Sequence, residues 1–153
     1  MADSIDVKMT GIEGIQSSIK ELLFGSAADV KRGVLRVGMK IERQAKANVP
    51  VDTGRLRASI SQNWTGSGKS HGDVDSKAKA EDGVGQPREK PDTFTEVVGT
   101  NVEYAPIVEF NETAHHEVGG PHFLYGAYFS YEADVADEVK AELAKRLAKI
   151  LKK

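Results

Sequence analysis

No cysteine occurs among the 153 residues, which excludes disulfide frameworks, thiol catalysis and thiolate metal sites and leaves the compartment open. Long apolar runs are missing too. Nothing approaches the roughly 18 consecutive apolar residues that would cross a bilayer, and the opening Met-Ala-Asp-Ser leads into no apolar signal-peptide core. Synthesis and folding in a cytoplasm, with no membrane partner, is the expectation that follows. An excess of one charge is also lacking: 21 Lys and Arg stand against 23 Asp and Glu, for a net charge of -2 and a pI of about 6.1. A general nucleic-acid binder would carry a global positive excess, so any DNA contact must come from a local patch. What is present is an apolar share of 39%, enough for one core, and residues 1–153 read as a single domain.

Periodicity orders the chain. Ile5, Val7 and Met9 alternate as in a strand, and Ile12, Ile15, Ile19, Leu22 and Leu23 then recur at helical spacing. Ser26 or Asp29 can cap a second helix, on which Val30, Val34, Val37, Ile41 and Ala45 recur until Pro50 stops it; it would be about 30 Å long. After a turn at Val51-Asp52-Thr53-Gly54, Leu56 to Trp64 alternate as a half-buried strand, and Phe94 to Thr100 supply another. Between them, residues 66–92 contain no aromatic, Leu or Ile, so a long flexible β-hairpin loop is expected there. Thr113 to Gly120 form a shorter loop, and 121–153 read as one C-terminal helix. That helix would be on the order of 48 Å long, more than the roughly 38 Å diameter of a compact domain this size. It must therefore break, near Gly126, or project. The expected fold class is α+β, an antiparallel sheet packed by long helices.

Motifs for catalysis are weak. Gly66-Ser67-Gly68-Lys69-Ser70 resembles the end of a phosphate-binding loop, but Asn63 stands where a glycine is required and no helix follows. His115, His116 and His122, with Glu112 and Glu117, are zinc-type ligands without a constraining spacing; a solvated loop is the plainer reading. No Gly-x-Ser-x-Gly turn presents a serine, and Asp73 and Asp75 lie in the long loop, where nothing fixes their separation. Neither enzymatic activity nor a cofactor or metal is expected.

Two surface patterns say more. Lys31, Arg32, Arg36, Lys40, Arg43 and Lys46 occupy the helix half opposite the valine stripe, with Glu42 the one acid there, while Glu132, Asp134, Asp137, Glu138 and Glu142 crowd the last helix. The bases read as an ordinary solvated face, as a contact to DNA phosphates, or as one half of a self-complementary lock with the acids of a neighbouring copy. Phe123, Tyr125, Tyr128, Phe129 and Tyr131 are too widely spread around a helix to form one core stripe, so some must face outward, as at subunit contacts.

The stretch Ala47-Asn48-Val49-Pro50-Val51-Asp52-Thr53-Gly54-Arg55-Leu56-Arg57-Ala58-Ser59-Ile60 resembles a family of small tail components of long-tailed bacteriophages, the neck or tail-completion proteins of the head-tail boundary. Val98 to Phe110 and Pro121-His122-Phe123-Leu124 continue the resemblance, as do the first strand and helix, leaving out 66–92. It departs at Asn111-Glu112-Thr113, where a glycine-threonine pair usually follows Glu-Phe. Within the strings, Asp52 can accept from the amides of Thr53 and Gly54, and Arg55 and Arg57 bracket Leu56. The resemblance implies a non-catalytic virion protein forming a homo-oligomeric ring that joins tail to head and leaves a passage for viral DNA. Implied partners are a head-closure protein and a tail terminator or tail tube protein. A minor tail component elsewhere in the tail, or a DNA-contacting module using helix 30–47, are the alternatives. Subunit or partner contacts are expected from Lys31, Arg36, Lys40 and Arg43, from Arg55, Arg57 and Tyr104, from Phe123, Tyr125, Tyr128 and Phe129, and from Glu132, Asp134 and Glu138.

Overall fold

A computed structural model of the chain describes residues 12–69, 74–90, 92–113 and 118–152. Its elements are α1 (Ile12–Asn48), α2 (Arg55–Ser59), β1 (Ser61–Trp64), β2 (Glu96–Gly99), α3 (Ala105–Phe110), α4 (Phe123–Tyr131) and α5 (Asp134–Leu151), with a single 3-10 turn at Ala80–Asp82. The class is α+β, as expected; the strand expected at Ile5 to Met9 lies outside the described residues.

The two N-terminal helices of the sequence reading are one. Ser26 does not cap: its hydroxyl donates to the Leu23 carbonyl at 2.8 Å, a bond made inside a continuing helix. Asp29 is buried and accepts from arginines instead of from the backbone of a first turn. Helix α1 therefore runs 37 residues, about 55 Å, until Pro50. The strand expected over Leu56 to Trp64 is also corrected. Gly54, at φ 82°, turns the chain into α2, and only Ser61 onward is extended. The alternation still placed Leu56, Ala58 and Ile60 inside, because a helix of 5 residues leading into a strand can bury the same three positions.

Strands β1 and β2 pair antiparallel, Ser61 opposite Gly99 and Trp64 opposite Glu96. The core lies between this small sheet and α1. Val37, Ile41, Ala45 and Val49 of α1 meet Leu56 and Ile60, then Val102, Ala105, Phe123 and Ala127. Phe123 is 1% exposed, and a phenyl ring so enclosed contributes on the order of 3 kcal/mol by burial.

The C-terminal helix breaks, but at Glu132–Ala133 and not at Gly126. Both residues keep right-handed backbone angles, so the break is a kink. It lets α4 close the core through Phe123 and Ala127 while α5 lies antiparallel along α1, Arg146 near Asp29 and Asp134 near Lys40. Gly33 makes that approach possible: a Cβ there would stand 2.8 Å from the Val139 Cα. Among the described residues no helix is long and apolar enough to cross a membrane.

Candidate functional site

Because α1 and α5 run antiparallel, the basic face of the first lies alongside the acids of the second within one chain. Lys40 Nζ is 2.9 Å from Asp134 Oδ2 and 2.8 Å from Glu138 Oε1. Arg36 and Arg32 both reach Glu142, at 3.2 and 3.4 Å, and the buried Asp29 accepts from Arg32 and Arg146. Hydrogen bonds donated to Glu138 and Asp134 push the Lys40 ammonium well above its ordinary range, while Arg146 holds Asp29 down and Lys145 holds Glu142 down. The lock expected between copies through Arg36, Lys40, Asp134 and Glu138 is thus closed inside the subunit. Glu132 stays exposed at the kink. Lys31 sits 5.4 Å from the centroid of the Phe94 ring.

Arg55 makes a second internal anchor. Its Nε and Nη2 donate to the two oxygens of buried Asp82 at 2.9 and 2.7 Å, and Nη1 lies 3.2 Å from Glu103. The arginine, helped by the Lys79 amide, holds the Asp82 carboxyl down at about 2. The anchor continues through backbone bonds: Asn101 N donates to Asp82 O at 2.8 Å, Val84 N to Ser61 Oγ at 3.0 Å, and Asp75 N to Ala58 O at 2.9 Å. The described part of 66–92 joins the antiparallel strands β1 and β2, as the hairpin reading expected, and these bonds tie it to the body. Counting large apolar side chains missed a segment that is held by polar contacts and by Val84 alone among buried hydrophobics. In the preceding turn, Thr53 Oγ1 and not Asp52 takes a backbone amide, that of Arg55 at 3.4 Å.

Glu109 was not singled out by the sequence, yet it organises the other end. It is buried, and its carboxylate accepts from the amides of Leu124 at 3.0 Å and Tyr125 at 2.8 Å, the open N-terminus of α4. The signal was available in two strings, Glu109-Phe110 and Pro121-His122-Phe123-Leu124, whose partnership no spacing rule reveals. Tyr125, Tyr128 and Phe129 then face outward and stack edge to face, with centroids 4.5 and 5.5 Å apart. Phe123, expected with them at a contact, belongs to the core, and Tyr104 packs against that core half-buried.

Tyr125 and Tyr128 form one wall of an apolar groove of about 610 Å³. Its floor is Val34, Val37 and Ile41 of α1, and Val98, Leu124 and Phe110 also line it. Two carboxyls line it: Glu109, taken up by the α4 amides, and Glu96, which packs on Gly38 and whose Oε1 has no hydrogen-bond partner. Burial first, and then the nearby Glu42 carboxylate, push Glu96 up to about 7. A second groove, of about 640 Å³, carries Arg43, Lys46, Arg57 and Lys69 around Trp64. The glycine-rich string runs beside it, with no helix following among the described residues. His115 and His116 lie outside the described residues; His122 Nε2 is 3.4 Å from Glu112 Oε1, and among the described residues no three metal-binding side chains converge.

A family model described as bacteriophage HK97-gp10, putative tail-component, matches residues 13–110. The chain belongs to that family. No curated protein and no solved structure matches it. The matched span of this phage tail component takes in α1 through α3 and includes 66–92, the segment the sequence resemblance left out; it ends before α4 and α5. Both internal anchors start from matched residues, Arg55 with Asp82 and the α1 bases with α5. The groove floor on α1 and the Glu96 carboxyl also lie within the match, whereas its aromatic wall lies beyond it.

Proposed function

We propose that this tail component is a structural, non-catalytic virion subunit that assembles as a homo-oligomeric ring at the head-tail junction. There it completes the tail and leaves a passage for viral DNA, with a head-closure protein on one side and a tail terminator or tail tube protein on the other. The observation that carries the reading is the apolar groove with its outward aromatics: most charges on the long helices are satisfied internally, while Phe110, Tyr125, Tyr128 and Phe129 remain open to solvent. Exposed, clustered aromatics are the usual energetic centre of protein contacts. Native mass measurement of the purified chain, with cryo-electron microscopy of the virion neck, tests it. A ring of this chain at the neck is expected; a single copy there, or its absence from the virion, refutes the proposal.

The basic groove favours a second reading, contact with DNA. Arg36 and Lys40 are taken up by α5, so such a contact would use Arg43 and Arg57, with Trp64 between them, and not the whole face of helix 30–47. DNA affinity falling steeply with salt, and lost in an Arg43→Ser/Arg57→Ser variant, supports it; equal affinity in wild type and variant removes it.

A further inference from the structure

Arg32, Arg36, Arg55 and Arg146 all close on carboxylates of their own chain. Arg43 and Arg57 do not. Both are exposed, and among the described residues neither guanidinium has an ion pair or a hydrogen bond. They line the same groove of about 640 Å³, where unpaired cations in a concave surface concentrate positive potential. Lys46, on the same helix, is held by Glu42 at 2.6 Å, so the charge that the chain leaves unanswered there is that of the two arginines.

The strand beside them supplies a ring. Along β1, Ser61 and Asn63 are buried while Gln62 and Trp64 are half-buried, and the second pair lines the groove. Met39 and Arg43, one turn apart on α1, line it as well, and Arg57 reaches it from α2. An indole beside unpaired guanidiniums suits a ligand with both a flat π-face and negative charge. A nucleotide has both: its base stacks on the ring and its phosphate takes the guanidinium in charge-assisted hydrogen bonds.

Pairing decides which form of nucleic acid uses the whole groove. In a duplex the base faces are covered by their neighbours, so a duplex satisfies the arginines and leaves Trp64 idle, whereas an unpaired base engages both. An acidic peptide answers the charge without the π-face. We infer that the groove binds single-stranded DNA, with one unpaired base stacked on Trp64 and the phosphates on either side of it held by Arg43 and Arg57. The inference rests on the DNA-contact reading above and narrows it to segments whose bases are unpaired.

Trp64 reports on itself, because it is the only tryptophan in the chain and stacking on a base quenches indole emission. The full chain is titrated with an oligothymidine strand about 12 nucleotides long, the blunt duplex of the same length, dTMP and polyglutamate. The strand should quench Trp64 and bind at least about 10-fold more tightly than the duplex, with an affinity that falls steeply with salt. By anisotropy of a labelled strand, Trp64→Ala should weaken binding on the order of 10-fold and Trp64→Phe, which keeps a stacking face, by less. The wild-type quenching remains the test even where the alanine variant does not fold. Strand binding that leaves Trp64 emission unchanged overturns the inference, as does equal quenching by dTMP or polyglutamate. If strand and duplex bind equally and Arg43→Ser/Arg57→Ser abolishes both, the single-strand inference fails and the DNA contact stands. If no nucleic acid binds, both fail.

Discussion

Replacing Glu96 by glutamine separates the effect of the carboxyl's charge from that of its shape. The side chain enters an apolar groove against Gly38, its Oε1 lacks a partner, and burial with the nearby Glu42 raises it from 4.5 to about 7. Between those two values the folded chain holds a proton that the unfolded chain has released, so stability falls as pH rises through that window, and the full penalty stands above about 7. At full weight, the interval corresponds to about 3.4 kcal/mol, from about 1.36 kcal/mol per pH unit. The carboxyl keeps part of its surface in water, and screening reduces this to about 1–2 kcal/mol. Glu96→Gln should therefore be more stable than wild type by about 1–2 kcal/mol at pH 8 and equal to it near pH 4. Urea unfolding at a series of pH values, taken as the difference between the two proteins, cancels the titrating groups that do not interact with Glu96. A variant no more stable than wild type at pH 8, or one whose advantage does not shrink toward pH 4, would refute the reasoning.

Three further outcomes test the packing. Gly33→Ala puts a methyl 2.8 Å from the Val139 backbone and should cost about 1–3 kcal/mol in thermal melts, whereas Gly120→Ala, with open space around it, should change little. Phe123→Ala, at the most enclosed ring of the core, should lose about 3–5 kcal/mol; a loss under 1 kcal/mol would contradict its place there. Asp82→Asn should speed hydrogen exchange at Asn101 and Val84, whose amides bond to Asp82 O and Ser61 Oγ across the joint between this segment and the body. In wild type that carboxylate's contribution is present above the unfolded value of 3.8 and lost as pH falls toward about 2, so the variant should lack this part of the acid transition.

How much of this was legible in the sequence depends on the range of the interaction. The stripe of α1 from Val37 on, the stop at Pro50, the inward positions Leu56, Ala58 and Ile60 and the outward facing of some of the aromatics between Phe123 and Tyr131 follow from neighbours a few residues away and hold, whereas Val30 is exposed and Phe123 is core. Ser26 and Asp29 look like helix starts because capping is local chemistry, but Asp29 answers to Arg146, 117 residues on. The same holds for the segment 74–90. Its composition offers little to bury, and it is ordered by Arg55, Ser61 and Asn101, partners that come together only when β1 and β2 pair. The groove was out of reach for the same reason, since its floor, wall and carboxyl come from α1, α4 and β2.

The near-neutral charge takes its meaning from the fold. Bases on one long helix and acids on another could have been the two halves of an intersubunit lock, and a lock of that kind would weaken in salt and set the partner by charge. Their antiparallel packing spends Arg32, Arg36, Lys40, Asp134, Glu138 and Glu142 inside the subunit. What α1 leaves uncovered, among the described residues, is its apolar edge, because the helix is about twice as long as the α5 it packs on. Charge fixes the register of α5 against α1, and that register leaves Ile19 and Leu23 uncovered while α4 builds an apolar groove farther along the same helix. If the proposed ring forms, self-association measured across salt should accordingly respond to apolar substitutions and little to salt, the reverse of what the sorted charges alone would imply.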